Sequence, residues 1–330
     1  MNRYHVPVLR LVLGTFVAVI PLVAVSCSSS TEADDRGQYP LWKVEGKQNT
    51  VWLLGSVHAL PESAHPFPEA FDQAYRSSQN LVFEIDMSSM DMMQVIGLFT
   101  QAMLPAGQTL EEVLETETME LLRPRLGKLL DGIAGQLEGM SDMMPEGAAE
   151  IPFEVDPEMM EGMLMRMQPW FIGFLIQSGE ATREDYRPEF GVDLHYMTKA
   201  REDAKDVSGL ESFEDQISVF RRLAGDDPDS YLMALLQQSD TVSTDIDAVV
   251  GAWKRGDLEE LERLVSGELK KDPEVNRLLL TDRNENWVPH IERFLRDSEN
   301  YLVVVGAGHL IGERSVVELL RERGYRVIRQ

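Results

Sequence analysis

VWLLGSVHAL, from Val51, and YLVVVGAGHL, from Tyr301, share one pattern: an apolar run, then Gly-x-x-His, then a small or apolar step. Their histidines, His58 and His309, are two of only six in 330 residues. Each segment sits where a buried strand should end, and in parallel sheets ligands bind at the carboxyl ends of strands. A glycine just past a strand lets the backbone turn sharply or take positive φ. Gly55 and Gly306 can therefore let each histidine swing back over its strand end. If the two strands are neighbours, the imidazoles converge. Two imidazoles and a carboxylate make a common site for a divalent transition metal such as manganese, cobalt or zinc. Glu84, closing another apolar run, is the first candidate for the carboxylate, and Asp86 is the alternative. The plainer reading is two separate polar residues in strand–helix loops. The pattern alone leaves both open.

The elements that must position these residues read as α/β. Leu41 to Val44 and Val51 to Leu54 form a β-hairpin around a turn at 46–49. Its second strand is apolar throughout, as a central strand covered on both faces would be. PFPEAFDQAYRSSQ reads as a helix with Phe67, Phe71 and Tyr75 along one face. Leu81 to Ile85 is the next strand, completing a strand–helix–strand unit. Ala204 to Val207 is a short strand, Ser212 to Leu223 a helix, and 229–297 a succession of helices. Tyr301 to Val305, the helix SVVELLRERG closed by Gly324, and Tyr325 to Ile328 make a second strand–helix–strand unit. The predicted fold is a mixed central sheet built from two similar halves, each with a strand-end Gly-x-x-His, plus a large helical insertion.

That insertion is expected over about 87–167, inside a single domain spanning 41–330. It holds 14 of the 17 methionines, in a stretch broken by Pro and Gly. Methionine fills irregular gaps between helices, which is the commonest use. A pliable groove for a peptide or lipid is a second reading, and thioether binding of copper(I) a third.

Residues 1–26 belong to a different regime. Arg3 and Arg10 precede an apolar run from Leu11 to Val25 with no acidic residue, the profile of a secretory signal. The lone cysteine, Cys27, follows in AVSC and begins a polar tether over 27–40. This resembles a bacterial lipoprotein signal, with Cys27 as the lipidated first residue. Ser28, rather than Asp, after the cysteine suggests the outer membrane, facing the periplasm. An ordinary cleaved signal or a transmembrane anchor is the alternative. The net charge of −25 argues against nucleic acid as a partner, since phosphate backbones require clustered cations.

GSVH, FEID, GVDLHY, GLESFEDQ, LLLTDRNENWVPHI and GAGHLIG, in this order, resemble the TraB/GumN family, which is related to the Tiki-type proteins. LWKVEG at the start and VVVGAGHLIGERSVVELLRERGYRVIR at the end strengthen the likeness, which covers Leu41 to Gln330. The Met-rich segment departs from it. Active members look like metal-dependent proteases, with the two Gly-x-x-His motifs and a glutamate at the site. Carried over, His58, His309 and Glu84 are the implied metal ligands. Asp193 and His195 fall in a block that orients or completes the site; their plain readings are a helix cap and a surface residue. Glu211 and Gln216 fall in the block after the fourth strand. Arg283 matches a basic position that holds a carboxylate or polarises a substrate carbonyl, unless it is a helix-surface salt bridge. His65 and His290 are expected to face solvent, and His5 lies in the signal.

The implied chemistry is metal-assisted hydrolysis of a peptide bond in an unknown peptide or protein substrate. The metal lowers the pKa of a water from ~15.7 towards ~7. Glu84 or Glu211 is the general base, and Arg283 or the metal stabilises the oxyanion. Cys27 is tethered away from the domain, and nothing positions a base on Ser56, so thiol and serine chemistry are weaker. Binding without turnover is the rival class: the cleft would hold a metal ion, a peptide or, with two histidines across a flat apolar slot, haem, or the chain would be a pseudoenzyme that keeps the fold and recognises a signalling peptide or cell-surface ligand.

Overall fold

The computed structural model describes residues 39–86, 92–141, 156–180, 185–237, 242–269 and 272–330. The predicted signal, Cys27 and most of the tether lie outside them, as do Met87, Met90, Met143 and Met144. Among the described residues no helix is long and apolar enough to cross a membrane.

Six strands form one mixed sheet: β1 (Leu41–Glu45), β2 (Thr50–Ser56), β3 (Asn80–Phe83), β4 (Asp206–Gly209), β5 (Tyr301–Gly306) and β6 (Val327–Arg329). Their order is β4-β3-β5-β2-β1-β6. β1 is antiparallel to both β2 and β6, while β2, β5, β3 and β4 pair in parallel. The β1–β2 hairpin, β3 and β5 stand where the apolar runs put them, whereas β4 and β6 begin two residues later than expected, at Asp206 and Val327, β4 because Ala204 turns with positive φ. β5 and β2 hold the centre because Val51, Leu53, Leu54 and Leu302 to Val305 are buried, the composition of strands covered on both faces.

The two strand–helix–strand units interleave. The first runs β2, helix α1 (Glu69–Ser77), β3. Its strands are not adjacent, because β5 slots between them. The C-terminal strand thus brings its histidine between the strand ends of the N-terminal unit.

Beyond α1, the longer helices among the described residues are α2 (Met92–Ala102), α3 (Thr116–Ser141), α4 (Pro157–Leu164), α5 (Pro169–Glu180), α6 (Val192–Glu202), α7 (Phe213–Ala224), α8 (Pro228–Gln237), α9 (Val242–Arg255), α10 (Leu258–Leu269), α11 (Asp282–Phe294) and α12 (Val316–Glu322). Two apolar cores result. One surrounds the sheet. The other gathers residues of the 92–180 region with α7, α8 and Leu278 to Leu280. Met119 and Met167 fill that second core, as the plain reading of methionine expects. Met93, Met159 and Met163 instead face solvent.

Candidate active site at the strand ends

Three parallel strands deliver the centre. Ser56 of β2 lies opposite Gly306 of β5, and Phe83 of β3 lies opposite Val304. The loop after each strand therefore begins at nearly the same level. His58 leaves β2, Glu84 follows β3, and His309 sits in a tight turn, 307–309, after β5.

His58 is held from the side by α6. A Cβ at Gly191 would sit 2.0 Å from the His58 carbonyl oxygen, so only glycine lets α6 start this close. Val192 N–H then donates to Val57 O, and the first helical turn presents Asp193. His58 Nδ1 hydrogen-bonds Asp193 Oδ2 at 2.7 Å, which turns Nε2 inward. His309 is held by α11. Its Nδ1 donates to Asn284 Oδ1 at 2.7 Å, and its ring packs on Trp287 with centroids 4.4 Å apart.

Gly306 keeps the meeting point open. A Cβ there would lie 3.3 Å from Glu84 Oε1, 3.5 Å from His58 Nε2 and 3.6 Å from His309 Cδ2. Gly55 answers a packing need instead. Its Cβ would crowd Pro40 and Ala307, and its carbonyl accepts from Trp253 Nε1.

Arg283 ties the carboxylates together. It stands just past a wide helical turn, Arg277–Thr281, that runs into α11; such turns often mark functional sites. Arg283 Nη2 donates to Glu84 Oε2 at 2.5 Å and to Glu211 Oε1 at 2.7 Å. Its Nε reaches both Glu211 oxygens at 3.2 Å. Its Nη1 donates to His309 Nε2 and to Leu279 O, each at 3.2 Å. Glu84 Oε1 accepts from Gly306 N–H at 2.8 Å, and Gln216 Nε2 approaches Glu84 Oε2 at 3.4 Å. Trp287 Nε1 donates to Glu211.

Protonation follows from these neighbours. Burial pushes Glu84 up, but Arg283, then His309 and His58, and the Gly306 N–H outweigh it and pull it down to about 2. Glu211 goes the other way: burial raises it, with Arg283 only partly opposing. Burial also drives His309 down, to about 3, and the Arg283 charge adds to that. His58 is raised: burial lowers it, but the charge and hydrogen bond of Asp193, with Glu84 behind them, win.

A cavity of about 840 Å³ adjoins this cluster, with Asp86, Leu210, Glu211, Arg283, Trp287 and His290 in its wall. Neither histidine of the pair nor Glu84 lines it. Arg283 does both: it lines the cavity and touches His309 and Glu84.

The structure thus brings together His58, Glu84, His309, Asp193, Arg283, Glu211 and Gln216. Asp86 is placed in the cavity wall instead of beside the histidines. Arg283 is 5% exposed, so the surface salt-bridge reading does not hold for it. His195 points away from the pair, into rings of His65, Phe67 and Tyr196. Burial, with His65 and Lys199, lowers it to about 4. His65 and His290 do not face solvent freely, contrary to expectation. His65 Nε2 lies 2.9 Å from Phe190 O and its ring packs on Phe67, because the chain after β2 folds back against α6. His290 is half-buried in the cavity wall. Sequence reasoning missed Asn284 and Trp287. The signal was there: Trp287 lies one helical turn from both Arg283 and Asn284.

A divalent metal can be tested against this arrangement. Each imidazole is pinned through Nδ1 by an oxygen, the outer-sphere pattern of metal-binding histidines. His58 Nε2, Glu84 Oε1 and the Cδ2 edge of His309 border the gap at Gly306, and His309 Nε2 lies 3.8 Å from Glu84 Oε1, so the donor types fit. Yet among the described residues no group of three His, Cys, Asp or Glu is arranged to ligate an ion as it stands. The Arg283 guanidinium takes the place beside His309 Nε2 and Glu84. Haem fits less well: the surroundings are two carboxylates and a guanidinium, not a flat apolar slot.

The profile of the TraB/PrgY/gumN family matches residues 40–329. The chain belongs to this family. It is 24% identical over 282 residues to the uncharacterized protein YbaP of Escherichia coli, covering 82% of this chain and 87% of that one. It is 23% identical over 334 residues to metalloprotease TIKI1 of Danio rerio, covering 91% of this chain and 65% of the relative. A metalloprotease TIKI homolog of Amphimedon queenslandica is 23% identical over 315 residues, covering 88% and 61%. The chain thus spans less than two thirds of the length of these Tiki relatives. No solved structure matches it. Members of the family include proteins named as metalloproteases, and the α/β fold with a mixed six-stranded sheet is the frame on which the paired motifs stand.

Proposed function

We propose that the chain is an exported, membrane-tethered hydrolase of peptide bonds that works with a divalent transition metal. The observation that carries this is the convergence of His58, His309 and Glu84 around the gap at Gly306, each imidazole pinned through Nδ1. Relatives named as metalloproteases supply the reaction class. Export and tethering rest on residues 1–40, with the lipid on Cys27 and the domain on the periplasmic face of a bacterial outer membrane.

His58 Nε2, His309 Nε2 and Glu84 Oε1 would hold the metal, which supplies Lewis acidity for activating water or a peptide carbonyl. Glu84, held ionised by Arg283 and Gly306, is too weak a base to move the proton. Glu211 is better suited. It lines the cavity where a peptide would lie, and its raised pKa brings it closer to the operating pH. Arg283, also in the cavity wall, offers N–H donors to the oxygen on which charge develops. Asp193 and Asn284 fix the two imidazole tautomers.

The test is cleavage of a peptide library by the full-length chain, followed by mass spectrometry with manganese, cobalt or zinc and with chelator. Metal-dependent products, reduced at least 100-fold in His58→Ala and His309→Ala, are expected. Cleavage that survives chelator and both substitutions would sink the assignment.

A further inference from the structure

Arg283 sits where a metal reading is most exposed to failure. It is buried, it carries its charge at any ordinary pH, and it donates to His309 Nε2 and to Glu84 Oε2. His309 Nε2 has one lone pair. It cannot accept from Arg283 and ligate a cation at once. The guanidinium also places a positive charge against the donors that would meet a second positive charge. Arg283 and a metal ion therefore compete for the same groups.

The rest of its surroundings allow that competition to be resolved without leaving the arginine unpaired. Its Nε and Nη2 both reach Glu211, and Nη1 also donates to Leu279 O. None of these acceptors is needed by the metal. Glu211 also lines the cavity, so a guanidinium released from His309 and Glu84 stays paired at the cavity wall. Glu84 Oε1, on the side of Gly306 rather than of Arg283, is already turned towards His58.

We propose that Arg283 is a built-in competitor for the metal. It holds the His309 and Glu84 donors while the site is empty, and metal binding requires it to fall back on Glu211. Removing it should tighten metal binding, even though it removes a residue from the site. This rests on the metal reading above, and the test separates the two.

Isothermal titration of the full-length chain with manganese, cobalt and zinc would give dissociation constants for wild type, Arg283→Gln and the His58→Ala/His309→Ala pair. Cobalt absorption would report the ligand field independently of any turnover. The expected result is binding at least tenfold tighter in Arg283→Gln than in wild type, with a cobalt spectrum of the same kind, and loss of that binding in the histidine pair. Should Arg283→Gln not fold by circular dichroism, Arg283→Lys is expected to bind at least threefold tighter, because ammonium lacks the fork that spans Glu211, Glu84 and His309. Wild-type binding with equal or weaker binding in the arginine variants would overturn the competitor and leave the metal site standing. Binding that persists in the histidine pair, or none in any form, would overturn the metal reading and this inference with it.

Discussion

His58 and His309 occupy matching ends of neighbouring parallel strands, yet they behave as opposites. His58 meets a carboxylate, Asp193, and is raised. His309 meets an amide, Asn284, and a guanidinium, and burial first, then the Arg283 charge, lowers it to about 3. Gly-x-x-His sets where an imidazole goes. What α6 and α11 bring against it sets whether that imidazole keeps a proton. The pair is one ring raised and one ring lowered, with the Glu84 charge acting on both.

The largest effect should come from removing what the two rings share. Glu84→Ala leaves Arg283 with Glu211 as its one carboxylate partner and strips the Gly306 N–H of its acceptor, and breaking a buried ion pair from one side costs about 3–5 kcal/mol. Urea unfolding would measure it. A loss within error of zero would mean that Glu84 does not hold the two halves of the site together.

Acid should separate the histidines next. The folded pKa of His309 lies below its unfolded value of about 6.5, so the unfolded chain takes up the proton first. Stability from this residue is present above pH 6.5 and is lost as pH falls towards 3, by about 1.4 kcal/mol per pH unit. His58 has the reverse sign. Its contribution is full below about 6.5 and disappears as pH rises through its raised folded value. In His309→Gln the decline in stability between pH 6.5 and 4.5 should flatten by about 2–3 kcal/mol in total. An unchanged slope would show that His309 is not held neutral.

Asp193→Asn would make the two environments alike, each ring facing an amide. The pKa of His58, followed by NMR, should fall, and stability below pH 6.5 should drop by about 1.5–2 kcal/mol, the scale of one hydrogen bond to a charged group. A His58 titration that does not move would break the comparison at its source.

Much of the frame was legible in the chain. Apolar runs ending at glycine located the central strands β2 and β5, because burial on both faces demands unbroken hydrophobic stretches. Asp86 shows the limit. It is two residues from Glu84 and of the same chemistry, and only the strand register decides that Glu84 is the one beside Gly306. His65 shows it again, since nothing local reveals that the loop after β2 packs against α6.

The sequence by itself determined the strand ends, the two histidines placed on them, the supply of carboxylates and the family. These are local properties, encoded in period, glycine position and residue type. Only the tertiary structure decided that β5 would slot between β2 and β3 and that Arg283 would bridge two carboxylates. It also raised the pKa of one histidine and lowered that of the other. The partners that decide this lie far apart along the chain: Asp193 is 135 positions from His58, and Arg283 is 199 from Glu84. Charge and burial act through space, so protonation in this centre belongs to the fold rather than to either motif.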